Sequence, residues 1–241
     1  MIGLLGLATA APASAGAPRR AGLVVWPART TVVAGAAATL HVANHTRSSV
    51  SLTVRVVGLA LDLRGAPQVV GVSAGTRSLV VSTRRLIVAA GGVGTLRVRA
   101  RAIVGQSPGD RPALVLLSAR SAGGAGIGVQ VRMGVPVEVR VPGLVRRRLA
   151  LGALRVRGRR VELMVRNLGN LSERVASGSV VAEVWRGTRR LATLQPRARD
   201  LFPHALGVVE FRLPRKLRGR ARLVVRALGV AGGRRAFSVA L

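Results

Sequence analysis

Thr95-Leu-Arg-Val-Arg-Ala-Arg-Ala102 alternates without a break: Leu96, Val98, Ala100 and Ala102 fall on one parity, Thr95, Arg97, Arg99 and Arg101 on the other. Successive side chains of an extended strand point to opposite faces, so this stretch predicts a half-buried strand with an arginine-covered outer face. The same period extends outward along the chain. Gly128 to Val141 repeats it through Val129, Val131, Met133, Val135, Val137, Val139 and Val141, and Ser49 to Val57 through Val50, Leu52, Val54 and Val56. Thr39 to Ala43 places Leu40 and Val42 on one side. In the second half Val161, Leu163 and Val165 alternate with Arg160, Glu162 and Met164, and Ala221 to Arg226 forms another strand-like run. Val and Thr, abundant in these runs, suit a pleated, half-buried surface.

Between the runs stand Gly65-Ala-Pro67, Gly91-Gly92, Ser107-Pro108-Gly109-Asp110, Gly123-Gly124, Asn167-Leu-Gly169-Asn170 and Gly232-Gly233. Turn residues at such short intervals, with no convincing helix of four or more turns, predict an all-β chain of two tandem immunoglobulin-like antiparallel β-sandwiches. Pro142-Gly143 is the natural boundary: it ends a long strand and opens a basic segment, dividing the chain into 21–142 and a strongly basic 143–241. The halves echo one another. Leu40-His-Val-Ala-Asn44 is a strand ending in Asn before a second strand at Val50, and Leu163-Met-Val-Arg-Asn167 repeats the arrangement before a strand near Val180. An Asn at a strand end closes the turn with its side chain. Asn44-His-Thr46 and Asn170-Leu-Ser172 match the glycosylation sequon, but each is read as a turn residue.

Residues 1–20 read as a signal peptide. Met1 to Pro18 carries no charge, and the apolar Ile2 to Ala11 runs into Pro12-Ala-Ser-Ala15, a small-x-small site that predicts cleavage after Ala15. The apolar run is shorter than a membrane helix needs, and Arg interrupts every later one, so the mature chain is expected to have no transmembrane span and to be secreted or associated with a bacterial cell envelope.

Composition bounds the chemistry. The chain has 241 residues, no Cys, 49% hydrophobic residues and a mean hydropathy of +0.38, which excludes a disordered basic tail, a disulfide scaffold and thiolate chemistry. The net charge is +31, from 39 basic residues, of which only Lys216 is lysine, against eight acids. GC-rich coding accounts for part of that arginine excess. The acids stand singly, no Gly-x-Ser-x-Gly elbow occurs, and His41, His45 and His204 show no metal-ligand spacing that a strand could use. No enzyme activity, cofactor or metal is expected. Trp26 and Trp185 are expected to fill or cap the sandwich cores.

The basic residues concentrate in the second half. Arg146, Arg147, Arg148, Arg157, Arg159, Arg160, Arg189 and Arg190 form a candidate polyanion-binding face, suited to an anionic cell-wall polymer. An intracellular nucleic-acid-binding β protein is the reading that charge alone favours. With no Tyr and three Phe, however, there is almost no platform for stacking bases.

Leu23-Val-Val-Trp26-Pro27, Val32-Val-Ala-Gly35, Leu40-His-Val-Ala-Asn44 and Ser107-Pro-Gly-Asp-Arg-Pro-Ala-Leu-Val-Leu-Leu117 together resemble the first domain of bacterial two-domain immunoglobulin-like envelope proteins. These are the wall-associated proteins that interact with WxL surface proteins and carry a peptidoglycan-binding domain and, more distantly, the periplasmic pilus-assembly chaperones. The first resemblance implies a non-enzymatic envelope protein that binds another surface protein or a wall polymer. The second implies a chaperone that donates a strand across an exposed edge and anchors a client carboxylate with a basic residue at the end of its first strand. Thr30 occupies that point here, with Arg29 one position before it, so Arg29 is the candidate anchor.

Overall fold

The computed structural model describes residues 22–120, 130–228 and 233–240; the signal-like segment and the Gly123-Gly124 turn lie outside them. The first half runs β1 (Leu23–Trp26), β2 (Thr30–Val33), β3 (Ala37–Asn44), β4 (Val50–Leu61), β5 (Pro67–Val70), α1 (Ala74–Ser78), β6 (Leu79–Val81), β7 (Arg85–Val88), β8 (Val93–Ala100), β9 (Gly109–Arg120) and β10 (Gln130–Val141). The second runs β11 (Leu149–Arg157), β12 (Arg160–Asn167), β13 (Glu173–Val175), β14 (Val180–Arg186), β15 (Arg189–Leu194), β16 (Arg199–Leu201), β17 (Leu206–Arg212), β18 (Arg220–Ala227) and β19 (Arg234–Ala240).

In the first half a sheet ordered β1-β3-β8-β6 faces one ordered β2-β10-β9-β4-β5, with β7 also on β4. In the second, β11-β12-β17 faces β15-β14-β18-β19, and β13 pairs with β16. Alternation decides what is buried. Leu40, Val42, Leu96 and Val98 from one sheet meet Leu52, Val54, Val115, Leu117, Val135 and Val137 from the other. Val161, Leu163, Val165 and Val209 meet Val180, Ala182, Val184, Leu223 and Val225 in the second core, which shares no residue with the first. The chain is therefore two tandem immunoglobulin-like β-sandwiches, as the two-residue period predicts.

Two expectations fail on parity and length. The alternation read from Thr95 to Ala102 stops being strand at Ala100, and Ala102 is exposed in the segment that follows. Neither tryptophan belongs to a core. On β1 the inward parity is taken by Leu23 and Val25, so Trp26 points outward, 41% exposed, and stacks on its cross-strand partner His41 with ring centroids 5.2 Å apart. Trp185 shares the parity of Glu183, to which its indole N–H donates.

The two asparagines do more than close turns. Both are fully buried. Asn44 Nδ2 donates to the carbonyls of Ser48, Val88 and Ala89, and its Oδ1 accepts the Thr46 N–H. Asn167 Nδ2 donates to Leu171 and Leu201, and its Oδ1 accepts the Gly169 N–H. In each half the amide therefore bonds the carbonyl four residues on, the N–H two residues on and a carbonyl of a distant segment. The sequence echo is a structural one. Asn170, the other sequon residue, is also committed: its Nδ2 donates to Pro108 and Leu144.

The halves meet through apolar and polar contacts. Leu59 and Leu114 of the first sandwich pack with Phe202 of the second. Asp110 N–H donates to Asn170 O at 2.8 Å, and Val208 N–H to Leu63 O at 2.7 Å.

Candidate functional site

The first strand-like stretch splits in two. β1 pairs antiparallel with β3, the chain bends at Pro27 to Arg29, and β2 joins the other sheet, pairing parallel with Val137 to Arg140 of β10. That crossing leaves β10 half covered. Along its whole length it is bonded to β9, but on its other side only Val137 to Arg140 have a partner, so among the described residues Gln130 to Pro136 present a free edge. The inward row opens in the same direction: Val139, Val137 and Val135 are fully buried, Met133 is half-buried and Val131 is exposed. Unpaired backbone beside apolar side chains that emerge from a core is what an added strand would cover.

Arg29 lies in the bend at the foot of this edge. Its guanidinium donates to Glu138 on β10 at 2.6 Å and to Asp200 of the second sandwich at 2.9 Å. The predicted anchor thus does hold carboxylates, and both belong to this chain. Glu138 is buried, and desolvation pushes its carboxyl above the usual range although Arg29 pulls the other way. For Arg29 itself burial works against the charge, but its two carboxylates outweigh it and the guanidinium is pushed up. Next to this pair Arg140 grips Asp110 through two hydrogen bonds, and Asp110 Oδ2 accepts the Ser172 N–H across the junction.

A second arginine bridges the halves. Asp62 caps the turn after β4 by accepting the N–H groups of Arg64 and Ala66, which hold its carboxyl below the usual range. The turn carries Arg64 onto β12 and β17, where it donates to Glu162 at 3.2 Å and Glu210 at 2.7 Å. Arg199 returns the contact, its Nη1 donating to both Leu63 O and Val208 O.

The eight arginines of the predicted basic face come from separate segments. Arg147 is engaged with Glu173 and Arg190 with Glu183, while Arg146 and Arg148 lie between the sandwiches and Arg189 in the hairpin from β14 to β15. Arg157, Arg159 and Arg160 do come together, at the hairpin from β11 to β12, and line a cavity of about 1160 Å³ with five arginines outside the eight: Arg64, Arg174, Arg197, Arg199 and Arg212. The register places Arg212 beside Arg160, a neighbour that no local spacing could reveal. Among the described residues no three His, Asp or Glu side chains converge as a metal site would require.

With that geometry established, likeness to solved structures is informative. A chain of a chaperone–tip adhesin complex of CFA/I fimbriae superposes with a TM-score of 0.53 at 11% identity, covering 91% of this chain and 98% of that one. The class 5 fimbrial chaperone CfaA gives 0.52 at 12% identity over the same shares. The fold is that of the pilus-assembly chaperones. A chain of the CsuC–CsuE chaperone–tip subunit pre-assembly complex of Acinetobacter baumannii agrees, with a TM-score of 0.50 at 13% identity over 90% of this chain and 98% of that one. No protein-family model matches the sequence, and no curated protein does. Of the two resemblances drawn from the sequence, the more distant one, to the chaperones, is the one that the fold bears out. Among the described residues no helix is long and apolar enough to cross a membrane.

Proposed function

We propose that this chain is a non-enzymatic assembly chaperone of a bacterial envelope, exported by the segment 1–20, with domains 21–142 and 143–241. It holds a subunit that lacks a strand by lending the free edge of β10. The half-covered edge carries this reading: among the described residues Gln130 to Pro136 have no partner on the side away from β9, and Val131 and Met133 lie ready to enter a client's core. Strand addition uses main-chain hydrogen bonds for affinity and alternate side chains for specificity. The chaperone fold supports the same reading, as does a signal-like start.

Arg29 fits it as a positioning residue. Its guanidinium fixes β10 against the second sandwich through Glu138 and Asp200. A client carboxylate would therefore have to displace a carboxylate of the chain itself, which makes Arg29 a weaker anchor than an unpaired arginine would be. The reading is tested by placing a photocrosslinking residue at Gln130 or Arg132 in the full-length protein expressed in bacteria together with its candidate subunits. A covalent adduct with a subunit at those positions, and none from Arg55 on the outer face of β4, is expected. Equal adducts from all three positions, or none from the edge, would overturn it.

A further inference from the structure

In the ladder from β11 to β17, Arg157 pairs with Arg160, and Arg160 with Arg212. Cross-strand partners share a face, and their Cβ atoms stand about 4.5–5.5 Å apart. Three guanidinium-bearing side chains are thus abreast on three adjacent strands. Like charges directly opposite destabilise a sheet. The next row on that face carries Arg155, Glu162 and Glu210, and both carboxylates are already engaged by Arg64, so the three have no carboxylate of their own.

The surrounding wall adds charge instead of relieving it. The cavity of about 1160 Å³ is lined by Arg64, Arg157, Arg159, Arg160, Arg174, Arg197, Arg199 and Arg212, against only two carboxylates, Asp200 and Glu210. Among the described residues Arg157, Arg160, Arg174, Arg197 and Arg212 are exposed and none makes an ion pair, and Arg159 is bonded only to the Leu213 carbonyl. Arg199 is braced against the backbone of Leu63 and Val208. Rigidly based guanidinium groups around a concavity concentrate positive potential there, and their planar forks match phosphate oxygens.

We propose that this cavity is a binding site for an oligophosphate, a ligand with several phosphate groups close enough to bridge the row Arg157–Arg160–Arg212 and Arg174 and Arg197, which line the same cavity. A single phosphate satisfies one or two forks. Only a chain of them neutralises the row. The site is independent of the β10 edge and does not rest on the chaperone reading.

The test is calorimetric titration of the full chain with sodium tripolyphosphate and, separately, with orthophosphate at 150 mM salt (about an 8 Å Debye length, so that only close contacts count). Tripolyphosphate is expected to bind at least tenfold tighter than orthophosphate. The variant R160Q/R212Q should weaken it at least tenfold, while R220Q/R222Q, which removes the same charge from exposed positions of the opposite sheet, should change it less than twofold. If R160Q/R212Q does not fold, R174Q/R197Q serves, with the same tenfold loss expected. Equal losses in the cavity and control variants, or no preference for tripolyphosphate, would show a general effect of net charge and overturn the site. Binding to phosphatidylglycerol vesicles without binding to tripolyphosphate would overturn it in favour of a membrane-facing patch.

Discussion

Removing the Arg29 guanidinium, by R29A, isolates the ion pair that joins β10 to the second sandwich. Glu138 keeps only 4% of its side chain exposed, and its carboxylate contacts Arg29 at 2.6 Å. Breaking a buried pair from one side costs about 3–5 kcal/mol, because a charge is left without compensation. Arg29 is itself 37% exposed and its second partner, Asp200, is 30% exposed, so screening reduces the figure to about 2 kcal/mol at pH 8. The pH dependence carries the sharper statement. Burial already pushes the Glu138 carboxyl above its usual range and Asp110 adds to the push, while Arg29 restrains it. Without Arg29 the group rises further and binds a proton in the folded state that the unfolded chain does not. Stability of R29A therefore falls as pH rises from the ordinary carboxylate range through the folded value, and the deficit against the parent protein shrinks towards pH 5. Urea unfolding followed by far-ultraviolet circular dichroism at pH 5 and pH 8 measures both. In the double variant R29A/E138Q the uncharged amide needs no cation, so most of the pH 8 loss should be recovered. A loss of the same size at both pH values, unrelieved by E138Q, would refute the assignment and leave Arg29 acting through some other contact.

The buried asparagines give a second measurement. Asn167→Ala strips three hydrogen bonds and leaves the Leu171 and Leu201 carbonyls and the Gly169 N–H without that partner, a cost of about 3 kcal/mol in urea unfolding, and Asn44→Ala should lose about as much in the first sandwich. Gly75→Ala tests the seat of α1: a Cβ there would collide with the Pro112 backbone oxygen, two backbones that cannot both stay, and should destabilise by about 1–3 kcal/mol, whereas Gly71→Ala, with nothing within 4 Å, should stay within about 0.5 kcal/mol.

Parity was legible in the sequence because it is local. Leu96, Val98 and Ala100 fall inward on β8 as the alternation requires, and so do Val161, Leu163 and Val165 on β12. What depends on a partner strand was not legible. Leu23 to Val33 contains two apolar four-residue pieces, and nothing in their spacing says that the second leaves for the other sheet, so neither the outward face of Trp26 nor the free half of β10 could be read. The site divides in the same way. Arg157 and Arg160 flank a two-residue hairpin and were visible together, but Arg212 reaches them through the register of β17 and Arg64 through a contact 98 residues away along the chain from Glu162. The asparagine echo was visible as spacing, while the distant carbonyls that make it costly to lose, those of Val88 and Leu201, were not.

The placement of the eight acids bears on the charge itself. Glu173 and Glu183 pair within the second sandwich. The other six stand at the junction: Asp62 shapes the turn that delivers Arg64, Glu162 and Glu210 receive it, Asp110 bonds Ser172, and Glu138 and Asp200 share Arg29. Coding bias can raise the number of arginines, but it does not choose where the few carboxylates go. In a chain this cationic, two sandwiches brought together would repel unless the approach were neutralised, and three of these acids, Glu162, Glu210 and Asp200, take a guanidinium from the other half. The same economy leaves the outer row of β11, β12 and β17 with none. A neutralised junction beside an uncompensated arginine row is therefore one arrangement: the two acids that reach the cavity wall, Asp200 and Glu210, are held by Arg29 and Arg64 from the first sandwich, and the charge of the row is left for a ligand to balance.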